Sequence, residues 1–205
     1  MLKTLKKLFR LGGAVAEAGT FVGRARTCDV SYSFRMGAGF LGDVTRVGAP
    51  SPTIEPSLQD ATNPPNFYGC PVVINAAGTG VRQLLAADTA LTAVYGIVVR
   101  PFPINQAAAT NFGAAAIGGF VAPVIGAVDV LKSGYVLGYL SGSGTPVKGG
   151  SVFVWVAASS GSHVQGGFET SATGGSTIPL STANPNIYFN GPGDSSGNVE
   201  IAYNI

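Results

Sequence analysis

After about residue 27 the chain alternates short apolar runs with clusters of Gly, Pro, Asn and Ser. β-branched and aromatic residues concentrate in those runs, which predicts strands at Val72–Ile74, Val81–Leu84, Ala93–Phe102, Val128–Leu131, Tyr135–Leu140, Val152–Ala157, Ile187–Phe189 and Val199–Ile205. In Val152-Phe153-Val154-Trp155-Val156 both faces are apolar, so this strand should be covered on both sides. The last strand alternates, which predicts burial of Val199, Ile201, Tyr203 and Ile205. The polar run Asn190–Gly197 should join the last two strands as a hairpin. Repeated strand and turn signals define a mainly β chain, with a β-barrel or β-sandwich-like domain.

Three stretches depart from this pattern. Gly48–Asn66 is rich in Pro, Ser, Thr and Asn and reads as a long loop, taken as 48–66. Gln106–Val128 carries no charge until it meets Asp129, and its length raises a transmembrane helix. Gln106, Thr110 and Asn111 break one end, and glycines and Pro123 interrupt the rest. An apolar insertion at 106–127 that lies against a neighbouring subunit, with Phe112, Ile117, Phe120 and Val121 as contacts, is the better reading. Met1–Leu11 is the third. Leu2, Leu5, Leu8 and Phe9 fall on one side of a helix, and Lys3, Lys6, Lys7 and Arg10 on the other.

Ala14-Val15-Ala16 has the look of a cleavage motif, but the apolar run before it is too short for a signal peptide. A membrane-surface helix, a docking arm and a helix packed on its own domain are the other readings. The arm or docked helix is the expectation carried forward. Charge supports it: residues 1–26 hold six basic side chains against Glu17, a net charge of +5, whereas the remainder holds six basic and nine acidic. The chain thus divides into an N-terminal basic amphipathic arm, helical or extended, at 1–26 and a β-rich domain at 27–205.

Composition adds a reason for partners. Charged residues are 11% of the 205, against roughly 25% in ordinary soluble domains, and the mean hydropathy is +0.34. So little surface charge favours a subunit over a solitary enzyme. The body lacks the broad basic face of a nucleic-acid binder. Cys28 and Cys70 form no disulfide framework and read as small buried side chains.

Catalytic motifs are present only in fragments. Gly193-Asp194-Ser195-Ser196-Gly197 fits GxSxG, but a strand follows it and the one histidine, His163, lies upstream. A polar hairpin turn explains the same residues. Gly37–Gly42 fits GxGxxG, yet Pro50 and Pro52 leave no room for the helix that would hold a pyrophosphate. His163 sits in a Ser/Gly run that reads as a solvated loop, and nothing brings Glu169 and Asp129 together as an acid pair. Trp155 and the tyrosines read as core or interface anchors. No catalytic residue, cofactor or metal ligand is therefore assigned, and the chain reads as a non-enzyme.

Several phrases together resemble the structural cement, or decoration, proteins of tailed-phage heads. They are Phe67-Tyr68-Gly69-Cys70-Pro71-Val72 followed by Val81-Arg82 and Tyr95-Gly96-Ile97-Val98-Val99-Arg100-Pro101-Phe102, then Val128–Val136, then Pro146–Val154, with Asn186–Ile205 shaped like the family's closing hairpin. The similarity spans about residues 67–205 and excludes the arm and the apolar insertion. The resemblance implies a virion protein made in the host cytoplasm that binds and stabilises the icosahedral capsid. Its partners would be the major capsid protein and neighbouring copies of itself as a homo-oligomer, with no specific nucleic acid and no membrane. Leu2, Lys3, Leu5, Lys6, Lys7, Leu8, Phe9 and Arg10 would then be the contact residues of the arm. A tail or receptor-binding component and a β-sandwich coat protein with a basic arm are the alternatives; the first lacks a sustained heptad, and the second would bind nucleic acid salt-sensitively.

Overall fold

A computed structural model describes residues 39–46, 51–88, 94–101 and 126–205. All lie in the larger of the two units into which the chain divides, Gly37–Ile205. Ten strands run in chain order: β1 Thr53–Leu58, β2 Pro71–Ile74, β3 Val81–Gln83, β4 Val94–Val99, β5 Ala127–Tyr139, β6 Phe153–Trp155, β7 Phe168–Glu169, β8 Thr177–Pro179, β9 Tyr188–Phe189 and β10 Asn198–Tyr203. A single helical turn, Leu180–Ala183, follows β8. Seven strands form one sheet, ordered β3-β2-β4-β5-β10-β9 with β1 also on β5, and β7-β6-β8 form a second. All named strand pairs are antiparallel.

The architecture is sandwich-like. One bridge, Gln59 with Val81, brings the chain after β1 beside β3, but the continuous pairing of a closed barrel is not seen among the described residues. Alternation on the large sheet explains the packing. Val73, Ile97, Val99, Leu131 and Val136 join a core with Val154, Phe168 and Ile178 of the small sheet. Their neighbours of opposite parity, Val72, Val98, Val128 and Val130, join Phe67, Tyr68 and Cys70 in a second core. The β2-β4-β5 region is thus buried on both faces, which its uninterrupted apolar runs require. As anticipated, Val199, Ile201 and Tyr203 are buried, whereas Ile205 is half-buried. In the Val152–Val156 run the three valines and Trp155 are buried, and Phe153 is half-buried.

Two expectations are corrected. Val128–Leu131 and Tyr135–Leu140 are not separate strands but parts of the thirteen-residue β5. Gly134, at φ +144°, takes the bend between them. Asn204 spans it, donating from Nδ2 to the Lys132 carbonyl at 2.8 Å while its own carbonyl accepts from Ser133 Oγ at 2.9 Å. The 48–66 stretch is not wholly loop, because β1 lies inside it and pairs Ile54 with Leu131 through to Leu58 with Ala127. Gln59 N–H donates to Gly126 O, which makes that a hydrogen-bonded pair and places Pro56, three residues away, in a non-hydrogen-bonded position whose nitrogen faces outward. A proline is tolerated there because no ladder bond is lost.

Two buried groups make the core sensitive to alkali. Burial pushes the Cys70 thiol up from its ordinary 9.0 to about 11, against weaker backbone hydrogen bonds. Burial likewise pushes the Tyr203 phenol from 10.0 to about 12. Each group holds its proton more tightly folded than unfolded. Their contribution is therefore intact below about pH 9 and is lost as pH rises through 9–11 for Cys70 and 10–12 for Tyr203. Urea midpoints measured from pH 7 to 11 should hold level and then fall above pH 9, and Cys70→Ser should remove the earlier part of the fall.

Candidate interaction surface

Three of the exposed large apolar side chains, Ile54, Leu58 and Ile74, lie at and beside the sheet edge at β1, and Phe40 and Val147 are exposed elsewhere. Five of the six β1 residues are exposed and the sixth is half-buried. Ile54 is 42% exposed and Leu58 61%, and Ile74 at the end of β2 adds 49%. Pro56, Ser57, Leu58, Ile74, Val81 and Tyr95 line a groove of about 310 Å³ here, together with the Gly78–Gly80 turn. Beside it a second depression of about 330 Å³ shares Ile74 and Tyr95 and adds Val94, Arg82, Asp88 and Lys132.

Tyr95 holds the boundary between the two. Its hydroxyl donates to Glu55 Oε2 at 2.8 Å. Lys132 Nζ lies 3.2 Å from the ring centre and donates to the Tyr95 carbonyl. Burial lowers the Lys132 pKa, against the attraction of Glu55. Arg82 is turned onto Asp88 at 2.7 Å, a paired arrangement that raises the guanidinium pKa and lowers the carboxyl's. Asp60 accepts from the Asn63 and Thr62 N–H groups and from Asn75 Nδ2, and these bonds hold its carboxyl below the ordinary range. The cations of this face are thus internally engaged, while Glu55 and Asp60 form no ion pair among the described residues.

A second concentration of polar chemistry lies under the small sheet. Glu169 is buried, and its Oε1 meets His163 Nδ1 at 2.6 Å and Ser141 Oγ at 3.3 Å. The His163 ring stacks on Trp155 at 4.2 Å. His163 is therefore not in a solvated loop; it lies half-buried against a buried carboxylate and the Trp155 ring. The arrangement does not make a nucleophile, because Ser141 faces the carboxylate directly and its oxygen accepts from Val164 N–H at 2.8 Å. It pins β7 to the end of β5 together with the Ser141 N–H to Phe168 O bond of 2.7 Å.

The fragmentary motifs resolve as turns. Asp194 accepts from Ser196 N–H, Asn198 N–H and Asn198 Nδ2, which closes the loop between β9 and β10. Around Gly39–Asp43 the chain turns and then bridges β5 at Val44 with Val136, with no helix. Thr45 and Arg46 anchor that segment on Glu200 of β10. Burial would raise the Glu200 pKa, but bonds from Arg46, Thr45 and Asn190 outweigh it and hold the carboxylate below its ordinary value. Asp129 sits in β5 opposite Pro56 and Val99, apart from Glu169. Among the described residues no three His, Cys, Asp or Glu side chains gather as metal ligands, and no helix is long and apolar enough to cross a membrane.

A sandwich with an open apolar edge, and with no assembled reactive centre among the described residues, fits a subunit of a larger body, and comparison with known proteins says which. The model of the XM1 gp53 minor capsid protein family matches residues 30–203. The chain belongs to that family. As a member of the XM1 gp53 minor capsid family it is a structural protein of a tailed-phage capsid and a component of the virion. A chain in the solved capsid of Myoviridae phage XM1 superposes with a TM-score of 0.58 at 14% identity, over 83% of this chain and 93% of that one, a likeness of fold. No curated protein matches the sequence.

Leu2, Lys3, Leu5, Lys6, Lys7, Leu8, Phe9 and Arg10 of the arm, and Phe112, Ile117, Phe120 and Val121 of the insertion, lie outside the described residues, as does Cys28. What sequence reasoning missed is the β1 face with Ile54, Leu58, Ile74 and Tyr95. Its one legible signal was an Ile and a Leu four residues apart in an otherwise polar stretch.

Proposed function

We propose that this minor capsid protein acts as a decoration or cement subunit, bound to the major capsid protein and to neighbouring copies of itself. The observation that carries the reading is the open apolar edge at β1, in a chain with only 11% charged residues. Covering such a surface in a permanent interface removes apolar area from water and strengthens a shell. The basic arm, with Leu2, Leu5, Leu8 and Phe9 on one side, and the apolar Phe112, Ile117, Phe120 and Val121 supply further contact surface.

The test has two parts. Particles assembled without this chain should release DNA at a lower temperature than particles containing it, and equal release temperatures would overturn the cement role. A chain lacking residues 1–26 should keep the far-ultraviolet circular dichroism of a β protein while losing incorporation into particles. Undiminished incorporation would remove the arm from the reading.

A further inference from the structure

The groove at β1 has the dimensions and charge of a receiving site for one segment of this same chain. The described residues leave Leu58 and Ile74 open, and the Gly78 turn has no heavy atom within 4 Å of where a Cβ would stand. Two adjoining depressions, of about 310 and 330 Å³, share Ile74 and Tyr95. That form suits a row of apolar anchors rather than a single small molecule. Around the row three carboxylates, Glu55, Asp60 and Asp88, stand with two cations, Arg82 and Lys132, which are turned onto Asp88 and Tyr95, so the face carries an excess of one negative charge. An occupant should therefore be apolar on one side and basic on the flank.

Leu2–Arg10 has that character. Leu2, Leu5 and Phe9 stand at i, i+3 and i+7, the spacing of helix-in-groove anchors, and span about 10 Å at 1.5 Å per residue. Lys3, Lys6, Lys7 and Arg10 flank them without an intervening acid. We propose that the β1 groove binds the Leu2–Arg10 segment of a neighbouring copy, linking subunits hand to hand across the shell. This rests on the arm reading given above and names its acceptor. The leucines and Phe9 fill the two depressions, and the basic flank meets Glu55 and Asp60.

Disulfide trapping in assembled particles tests it. Two differently tagged full-length chains, both carrying Cys28→Ser, are co-assembled, one with Leu5→Cys and the other with Ile74→Cys. Cys70 is buried with a raised pKa and does not compete. A mixed disulfide joining the two tags is the expected result. Glu55→Lys with Asp60→Lys on the Ile74→Cys chain should abolish it, and Lys6→Glu with Lys7→Glu on the Leu5→Cys chain should restore it. Incorporation of both chains with no mixed disulfide overturns the proposal, as does exclusive cross-linking of Ile74→Cys to the major capsid protein or closure within one chain carrying both substitutions. Those results would leave the cement role intact, because that role stands or falls on the release temperature of particles with and without the protein.

Discussion

Replacing Phe168 by alanine is expected to remove a large part of the stability of this domain. Phe168 is fully buried on β7, within the core that both sheets share. Its ring packs so closely on Gly138 of β5 that a Cβ there would stand 2.5 Å from it. Deleting a buried phenylalanine ring costs about 3–5 kcal/mol. For a domain of this size each kcal/mol is worth about 2–4 °C, so the midpoint should fall by roughly 6–20 °C. Leu58→Ala on the open edge is the matched control and should stay within about 0.5 kcal/mol. Calorimetry on the two variants decides the matter; equal midpoints would mean that the two sheets do not share a core.

Gly69→Ala should be nearly as damaging for a different reason. Gly69 lies at φ +82°, a left-handed conformation that side chains disfavour, and an added Cβ would stand 2.5 Å from the Leu137 carbonyl oxygen. It would also meet the Gly42 nitrogen at 3.0 Å. Backbone strain and overpacking each cost about 1–3 kcal/mol, so a loss of roughly 2–6 kcal/mol is expected. Gly78→Ala, also left-handed at φ +68° but with nothing nearby, isolates the conformational part. Chemical denaturation of the pair separates strain from clash, and identical losses would show that the contact with β5 is not tight.

The strands that were legible in sequence were those where β-branched or aromatic residues cluster between turn residues. Val72–Ile74, Val81–Leu84, the run before Arg100, Val152–Ala157 and the closing hairpin all carry strands near where β-branched residues cluster. β7 and β8 escaped notice because each holds a single large apolar residue, Phe168 beside Glu169 and Ile178 between Thr177 and Pro179, too little to stand out as an apolar run. β1 was hidden by its own chemistry: Thr53, Glu55, Pro56 and Ser57 are loop residues by composition, and only pairing with β5 holds them extended. Lys132-Ser133-Gly134 looked like a turn for the same reason, since the bonds from Asn204 that keep β5 continuous come from the far end of the chain.

The site was less legible than the fold. An arm can be read from periodicity because its partners need not be known, but a groove is assembled from residues remote in sequence. Leu58, Ile74 and Tyr95 are unremarkable one by one, and only the sheet order sets them side by side. His163 shows the same limit. A run of Ser and Gly suggested solvent, while the buried Glu169 and the Trp155 ring that enclose it lie six and eight residues away on other strands.

β5 gives the domain a common spine. Its first half carries β1 and β4, and its second half carries β10 and the segment at Val44. If that strand were withdrawn, the large sheet would fall into two separate pieces, β3-β2-β4 and β10-β9, and β1 would lose its ladder. A load applied across the subunit would be borne by many bonds along one backbone at once, and loosening at either end would be felt at the other. Amide protons of β5 should accordingly be the last to exchange with solvent, in step with loss of the whole fold.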